Sequence, residues 1–391
     1  MAVAGVDESA ETDRLSPFRR ANAPLGGRFH RAEPSAPAPP LAAAVIVRAR
    51  ALSLLVLAGA VGCADPAGRS DAGTGGQGQG GQGGESSDTR DGSGEAPRPC
   101  NADCGSGACQ PTVVATGLAA PLGLAIDDAW LYFTDTNADN VMRVAKAGGA
   151  PVAIVPHQFA ASEQPYGIAV TSTHIFWTAY FAAFIGRAGL AGETPLMLST
   201  GEGYATRIAV DDTSVYWIIP GGIRKIGRDG GTAVAIGAQS GARDLVVDTT
   251  GVYLTSSGLS SGGGMVVRMG LGGEAPMTLA SGLNDPQGIA LDATHVYWTE
   301  KGGGTVMKVP RGGGAATVLA SGQQAPLGLA VVPAGVYWTN SMGGTVMNVG
   351  LDGGSPVALL SGQRRPTQIA VDACDVYWLD EAAGTVSKVP R

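Results

Sequence analysis

Histidine is scarce in this chain. Four residues in 391 carry it, His30, His157, His174 and His295, and no two sit at a metal-ligand spacing, which weighs against a histidine-rich metal site. Charge is also sparse. Charged residues make up 15% of the chain and the net charge is −7. The basic footprint that nucleic acid requires is missing. Five cysteines are too few for a disulfide scaffold: Cys63, then Cys100, Cys104 and Cys109, then Cys374. The main apolar run, residues 51–61, is too short to cross a bilayer as a stable helix. Neither a serine nucleophile elbow nor a Cys–His pair occurs as a motif. Glycine, by contrast, is abundant at 61 residues, which points to many tight turns between short strands.

The first 110 residues read as non-domain sequence. Residues 1–47 are rich in Ala, Pro and Arg and hold too little apolar surface to offset chain entropy. Residues 48–63, "RARALSLLVLAGAVGC", place Arg48 and Arg50 before a short apolar stretch that ends in small residues at Cys63. The pattern resembles a bacterial lipoprotein signal, with Ala60 where Leu is usual. The resemblance implies export, lipid on Cys63, and a membrane-anchored location at the cell envelope. An ordinary secretory signal is the alternative. The leader ahead of Arg48 is long for any signal, and an internal start at Val45 or Val47 would remove it. Residues 64–110 follow as a Gly/Gln/Ser tether ending in a cysteine-containing segment.

From residue 111 to 391 the chain repeats itself. Residues 286–320, "PQGIALDATHVYWTEKGGGTVMKVPRGGGAATVLA", recur as 326–360, "PLGLAVVPAGVYWTNSMGGTVMNVGLDGGSPVALL". Aligned copies place Phe133, Trp177, Trp217, Leu254, Trp298, Trp338 and Trp378 at one position, at intervals of roughly 40 residues, the period of propeller blades. Each unit reads as four short strands rich in Val, Ile, Tyr, Trp and Thr, with Gly, Asp or Pro between them and no 3.6-residue period. The last unit stops after its third strand. A lone fourth-strand sequence, "PTVVATG", precedes the first. The expectation is an all-β, seven-bladed β-propeller of four-stranded blades, the last blade closed by the N-terminal strand.

The "VYWT" segments followed by "TVMKV" strands resemble the YWTD propellers of lipoprotein-receptor ectodomains, and more loosely the NHL-type and virginiamycin-lyase-like propellers. The resemblance covers all seven units. It departs from YWTD in blade number, since those propellers have six, and in the motif's variable last residue. It implies the fold and a binding role, with an unknown protein or glycan as ligand and no cofactor. The runner-up is a propeller enzyme, lyase or lactonase/hydrolase-like, with its site at the central channel.

Basic residues in the third strands (Arg143, Arg187, Lys225, Arg268, Lys308, Lys388) and acidic residues ending the first strands (Asp127, Asp211, Asp248, Asp292, Asp372) recur around the ring, and so read as blade architecture. "DTNADN" at 135–140 alternates oxygen ligands as a calcium loop might, but it aligns with a hairpin and lacks the later Glu. Divergence between copies is concentrated in the loops joining strands two to three and four to one, which share one face. Loops on a rigid scaffold carry function. The ligand-face candidates are therefore Asp135 and Asn137 in the first unit, Tyr180 and Phe181 in the second, and Arg207 in the third. Arg243 and Asp244 come from the fourth, Asp285, Gln287 and Glu300 from the fifth, and Asn340 from the sixth. Arg365, Gln368, Asp380 and Glu381 come from the last. Adjacent Tyr180 and Phe181 are the strongest pair, because exposed aromatics anchor interfaces. On the opposite face, Cys374 is expected to bond Cys109, fastening the ring, with Cys100 and Cys104 left to pair together.

Overall fold

Twenty-eight short strands form seven four-stranded antiparallel sheets. The computed structural model describes residues 110–156, 159, 162–258 and 262–391, all within the unit spanning residues 90–391. The leader, the signal, Cys63, Cys100, Cys104, Cys109 and His157 lie outside the described residues.

Blade 1 runs in chain order through Pro121–Ile126, Trp130–Asp135, Asn140–Ala145 and Val152–Val155. Blades 2 to 6 repeat this order over residues 165–200, 208–237, 242–283, 286–320 and 326–360. Blade 7 takes three strands from residues 366–390, and its fourth is the N-terminal strand Thr112–Ala115, paired with Thr385–Pro390 in the register Thr112 to Lys388. First strands neighbour first strands from blade to blade, and blade 7 neighbours blade 1, so they ring a central channel. Both the blade count and the closure agree with the repeat pattern. Closure leaves no inner edge unpartnered by a neighbouring blade.

The core is seven layers, each between two blades. Strand side chains alternate faces, so the adjacent pair at the Tyr-Trp position of each second strand points in opposite directions. Tyr216 packs into the layer shared with blade 4, Trp217 into the layer shared with blade 2. The closing layer joins Val114, Ala115, Leu118 and Leu379 to Leu131, Phe133 and Val144. Tyr and Trp at this position are fully buried in almost every blade, and burying such a side chain contributes about 1.5–3 kcal/mol.

The threonine after the tryptophan stitches blades together. In blade 5, Thr299 Oγ1 accepts from Gly288 N at 3.0 Å and donates to Leu327 O of blade 6 at 2.9 Å. Thr134, Thr178 and Thr339 do the same. The partner is glycine because the blades approach closely there: a Cβ on Gly288 would stand 2.4 Å from Leu327 O, and one on Gly328 2.2 Å from Thr367 O.

The repeated charges are architectural, as expected, with roles more specific than solvated pairing. Asp292 Oδ1 accepts from Thr294 N and His295 N in the turn between strands one and two, while its Oδ2 accepts from Tyr297 OH at 2.6 Å. Asp127 and Asp211 latch Tyr132 and Tyr216 in the same way. The third-strand cations reach the turn of the next blade: Arg143 donates to Leu190 O, Arg187 to Arg228 O, Lys225 to Leu271 O and Lys308 to Leu351 O. Cys374 sits in the equivalent turn of blade 7, its N donating to Asp372 Oδ1. Its expected partner Cys109 is outside the described residues.

Candidate functional site

The face built by the two-to-three and four-to-one loops gathers the candidate residues, but they divide into three groups. Asp135, Glu300, Asn340 and Asp380 end their second strands and are buried. They clasp the face from within. Asp135 accepts from Ala119 N and Ala120 N, Asp380 from Arg364 N, Arg365 N and Ala383 N, and Glu300 from Asn284 N. Asn340 Nδ2 donates to Gln323 Oε1 and Thr345 Oγ1. The loop amides lack ladder partners, so a side-chain oxygen at the strand end satisfies them. In "DTNADN", Asp139 takes the left-handed conformation at φ 56° and accepts from Gln164 N. Ala183, Gly304, Gly344 and Gly384 adopt the same conformation at this register.

A second group pairs at the surface. Arg243 faces Asp285 at 3.8 Å and donates to Ser257 Oγ at 3.1 Å; Gln287 Nε2 donates to Asp285 Oδ1; Arg365 meets Glu381 at 3.3 Å. Asn137 is exposed in the short turn Thr136–Ala138. Such pairs contribute little to stability.

The third group converges. Aligned on the inner strands, one register reads Gly123, Gly167, Arg207, Asp244, Gly288, Gly328 and Gln368. Four blades keep the glycine that close approach favours. The other three carry polar side chains, and all three line one cavity of about 140 Å³ at the channel mouth, with Gly123, Gly167 and the flanking aliphatics completing the wall. Arg207 Nε lies 3.8 Å from Asp244 Oδ1. With the Gln368 amide turned to satisfy both groups, Arg207 Nη2 donates to its Oε1 at 2.6 Å. Asp244 also accepts from Leu245 N and Ile289 N. Burial pushes its carboxyl above the usual carboxylate range, with Arg207 opposing.

Arg207 connects this mouth to an aromatic cluster. Its guanidinium stands 5.7 Å over the Tyr166 ring. Tyr166 stacks on Tyr180 at 5.8 Å, and Tyr180 meets Phe181 and Tyr204 edge-on at 5.1 and 5.3 Å. Phe181 is 56% exposed and Tyr204 52%. Tyr180 and Phe181 were legible as a pair of aromatics in one loop. Tyr166 and Tyr204 were not singled out, although Tyr166 stands where the other blades carry Leu, Thr, Arg or Gln, and an aromatic at that register was the available signal.

At the other end of the channel a shallow hollow of about 560 Å³ is lined mainly by aliphatic inner-strand residues. Its charges are already paired, Arg311 with Asp248 and with Tyr253 OH. His174 and His295 stand on that face, each 2.8 Å from its preceding threonine hydroxyl.

No protein-family model and no curated protein sequence matches the chain. Solved structures do. The chain is similar to virginiamycin B lyase from Staphylococcus aureus at 13% identity and a TM-score of 0.61, covering 72% of this chain and 98% of that one. A streptogramin B lyase aligns at 14% identity and 0.62 over the same shares. The computationally designed protein Ika8 aligns at 15% and 0.51, covering 71% and 99%. Identities this low establish the fold alone, a β-propeller, whose seven blades here are the seven sheets described above.

Proposed function

We propose that the protein is an exported binding module, lipid-anchored through Cys63 at the cell envelope, that holds its ligand on the face carrying the aromatic cluster and the channel mouth. The observation that carries this reading is an aromatic quartet, Phe181 and Tyr204 exposed and Tyr166 and Tyr180 half-buried, contiguous with Arg207. Solvent-facing aromatics cost hydration, and tyrosine joins a broad apolar face to a polar tip, which suits a contact surface. The Gly/Gln/Ser-rich composition of residues 64–110, that of a linker, supports the envelope location. The pairing of Cys374 with Cys109 belongs to the same proposal, since export permits disulfides.

The competing enzymatic reading places a reaction in the channel. Among the described histidines, both stand on the opposite face, away from the Arg207–Asp244 mouth. Binding of a glycan panel and of purified envelope proteins to the full-length protein discriminates the two readings. A retained ligand that Tyr180→Ala with Phe181→Ala weakens at least about tenfold, with the melting temperature moved by less than about 3 °C, is the expected result. Unchanged affinity in the double variant, or turnover of the bound compound, refutes it.

A further inference from the structure

We propose that the channel mouth is a carboxylate site, and that the ligand class is an acidic sugar whose ring lies on the Tyr180–Phe181–Tyr204 cluster while its carboxylate enters beside Arg207 and Gln368. The inference rests on the binding-face reading above and adds the chemistry of what is bound.

Three observations carry it. First, the register that points into the mouth is glycine in four blades for a packing reason, because a Cβ there meets the next blade's backbone at 2.2 to 2.5 Å. Replacing that glycine three times, with Arg207, Asp244 and Gln368, works against the blade packing. All three replacements are polar and all three line the same cavity. The stitching scheme gives way at two of them: where Arg207 and Gln368 stand, the threonine of their own second strand has become Ile218 and Leu379, while Thr255 in the Asp244 blade still donates to Gln287 O. Blade architecture alone does not produce this coincidence.

Second, the donors present suit a planar monoanion. Arg207 offers its fork, now answered only by a neutral amide oxygen and a carboxylate set back at 3.8 Å. A fork of this kind matches a carboxylate in a bidentate way. Gln368 is the group such a ligand displaces, and its amide NH2 then becomes available as a second donor. Burial pushes the Asp244 carboxyl above the usual carboxylate range, with Arg207 opposing, which weakens its competition with an incoming anion. The cavity, about 140 Å³, has room for a carboxylate and the atoms that carry it.

Third, the aromatic steps set what the rest of the ligand is. Ring centroids follow one another at 5.8, 5.1 and 5.3 Å, beginning under the Arg207 guanidinium. A ligand whose carboxylate sits at Arg207 therefore places its next atoms over Tyr166 and Tyr180. A sugar ring has an apolar C–H face for these rings and hydroxyls for the tyrosine O–H groups.

The test uses the full-length protein and calorimetric titration with three probes: oligosaccharides ending in glucuronic or galacturonic acid, the same compounds with the carboxyl reduced to an alcohol, and sodium acetate. The acidic oligosaccharides are expected to bind about 10- to 100-fold more tightly than their reduced forms, the range of a charge-assisted pair. Arg207→Gln should abolish that difference while leaving the weak binding of the reduced form. A melting temperature of the Arg207→Gln protein within about 3 °C of wild type guards against a result caused by misfolding. Equal binding of acidic and reduced sugars, with both weakened by Tyr180→Ala and Phe181→Ala, overturns the carboxylate site but leaves the binding face standing. Acetate binding as tightly as the oligosaccharides assigns the mouth to a free anion and overturns the sugar. Binding by none of the acidic probes overturns the inference outright.

Discussion

Replacing Thr299 by valine keeps shape and volume and removes one hydroxyl. In the wild type that hydroxyl accepts from Gly288 N within blade 5 and donates to Leu327 O in blade 6, and Thr299 is fully buried. The variant leaves a buried N–H and a buried carbonyl without this partner. Each unsatisfied group costs about 1–3 kcal/mol. A carbonyl with its second lone pair still available sits at the low end of that range, so the expected loss is about 2–4 kcal/mol. For a domain of this size that lowers the melting temperature on the order of 3–7 °C. Calorimetric melting of the full-length protein measures it, and Thr299→Ser is the control. Serine retains the hydroxyl and should recover most of the loss, less a methyl contribution of about 1 kcal/mol. A valine variant that melts within about 1 °C of wild type would refute the stitch, because no plausible relaxation satisfies both groups in an interface this close. Ile218 and Leu379 occupy the same position in blades 3 and 7; in blade 3 the two strands are joined there by backbone bonds, Thr206 N to Ile218 O and Ile218 N to Arg207 O.

Asp292 gives the fold an acid dependence. Burial alone would raise its carboxyl, but hydrogen bonds from Tyr297, Thr294 and His295 outweigh it and hold the group at about 2. A depressed folded value contributes stability above the ordinary carboxylate range that is lost as pH falls toward 2. The full shift corresponds to roughly 2.5 kcal/mol, which screening at this partly exposed site reduces to about 1 kcal/mol. Asp292→Asn should therefore lower stability near neutral pH and flatten its fall between about pH 4 and 2; an unaltered pH profile contradicts the latch. Cys63→Ser should move the protein from the membrane fraction to the soluble one, and a variant that stays membrane-bound and unprocessed to the wild-type extent removes the lipid assignment. Non-reducing peptide mapping should recover Cys374 joined to Cys109; a peptide joining Cys374 to Cys100 or Cys104 contradicts the expected pairing.

The sevenfold architecture was legible because a buried aromatic position recurs at a constant interval, and ring closure because the partial units at the two ends complement each other. Less was legible at the site. Asp135, Glu300, Asn340 and Asp380 read as ligand groups because they are polar, loop-flanking and variable. Sequence does not reveal which backbone amides a side chain will meet, and these four meet amides or side chains of the adjoining loops. Arg207, Asp244 and Gln368 each appeared as isolated polar residues. Their convergence depends on the ring, which brings positions far apart in the chain to one channel. The threonine of "YWT" looked like a strand former, and its second role exists only once a neighbouring blade is in place. Tyr180 and Phe181 were visible because adjacency in a hairpin loop is itself a sequence feature; Tyr166 and Tyr204 join them only in space.

The most direct test of the binding face is hydrogen–deuterium exchange on the full-length protein with and without the ligand it retains. Protection is expected in residues 180–183 and 203–207, with smaller effects around residues 243–244 and 367–368. Protection concentrated instead in the opposite-face turns around residues 172–174 and 293–295, or along the outer fourth strands, would contradict the assignment of this face.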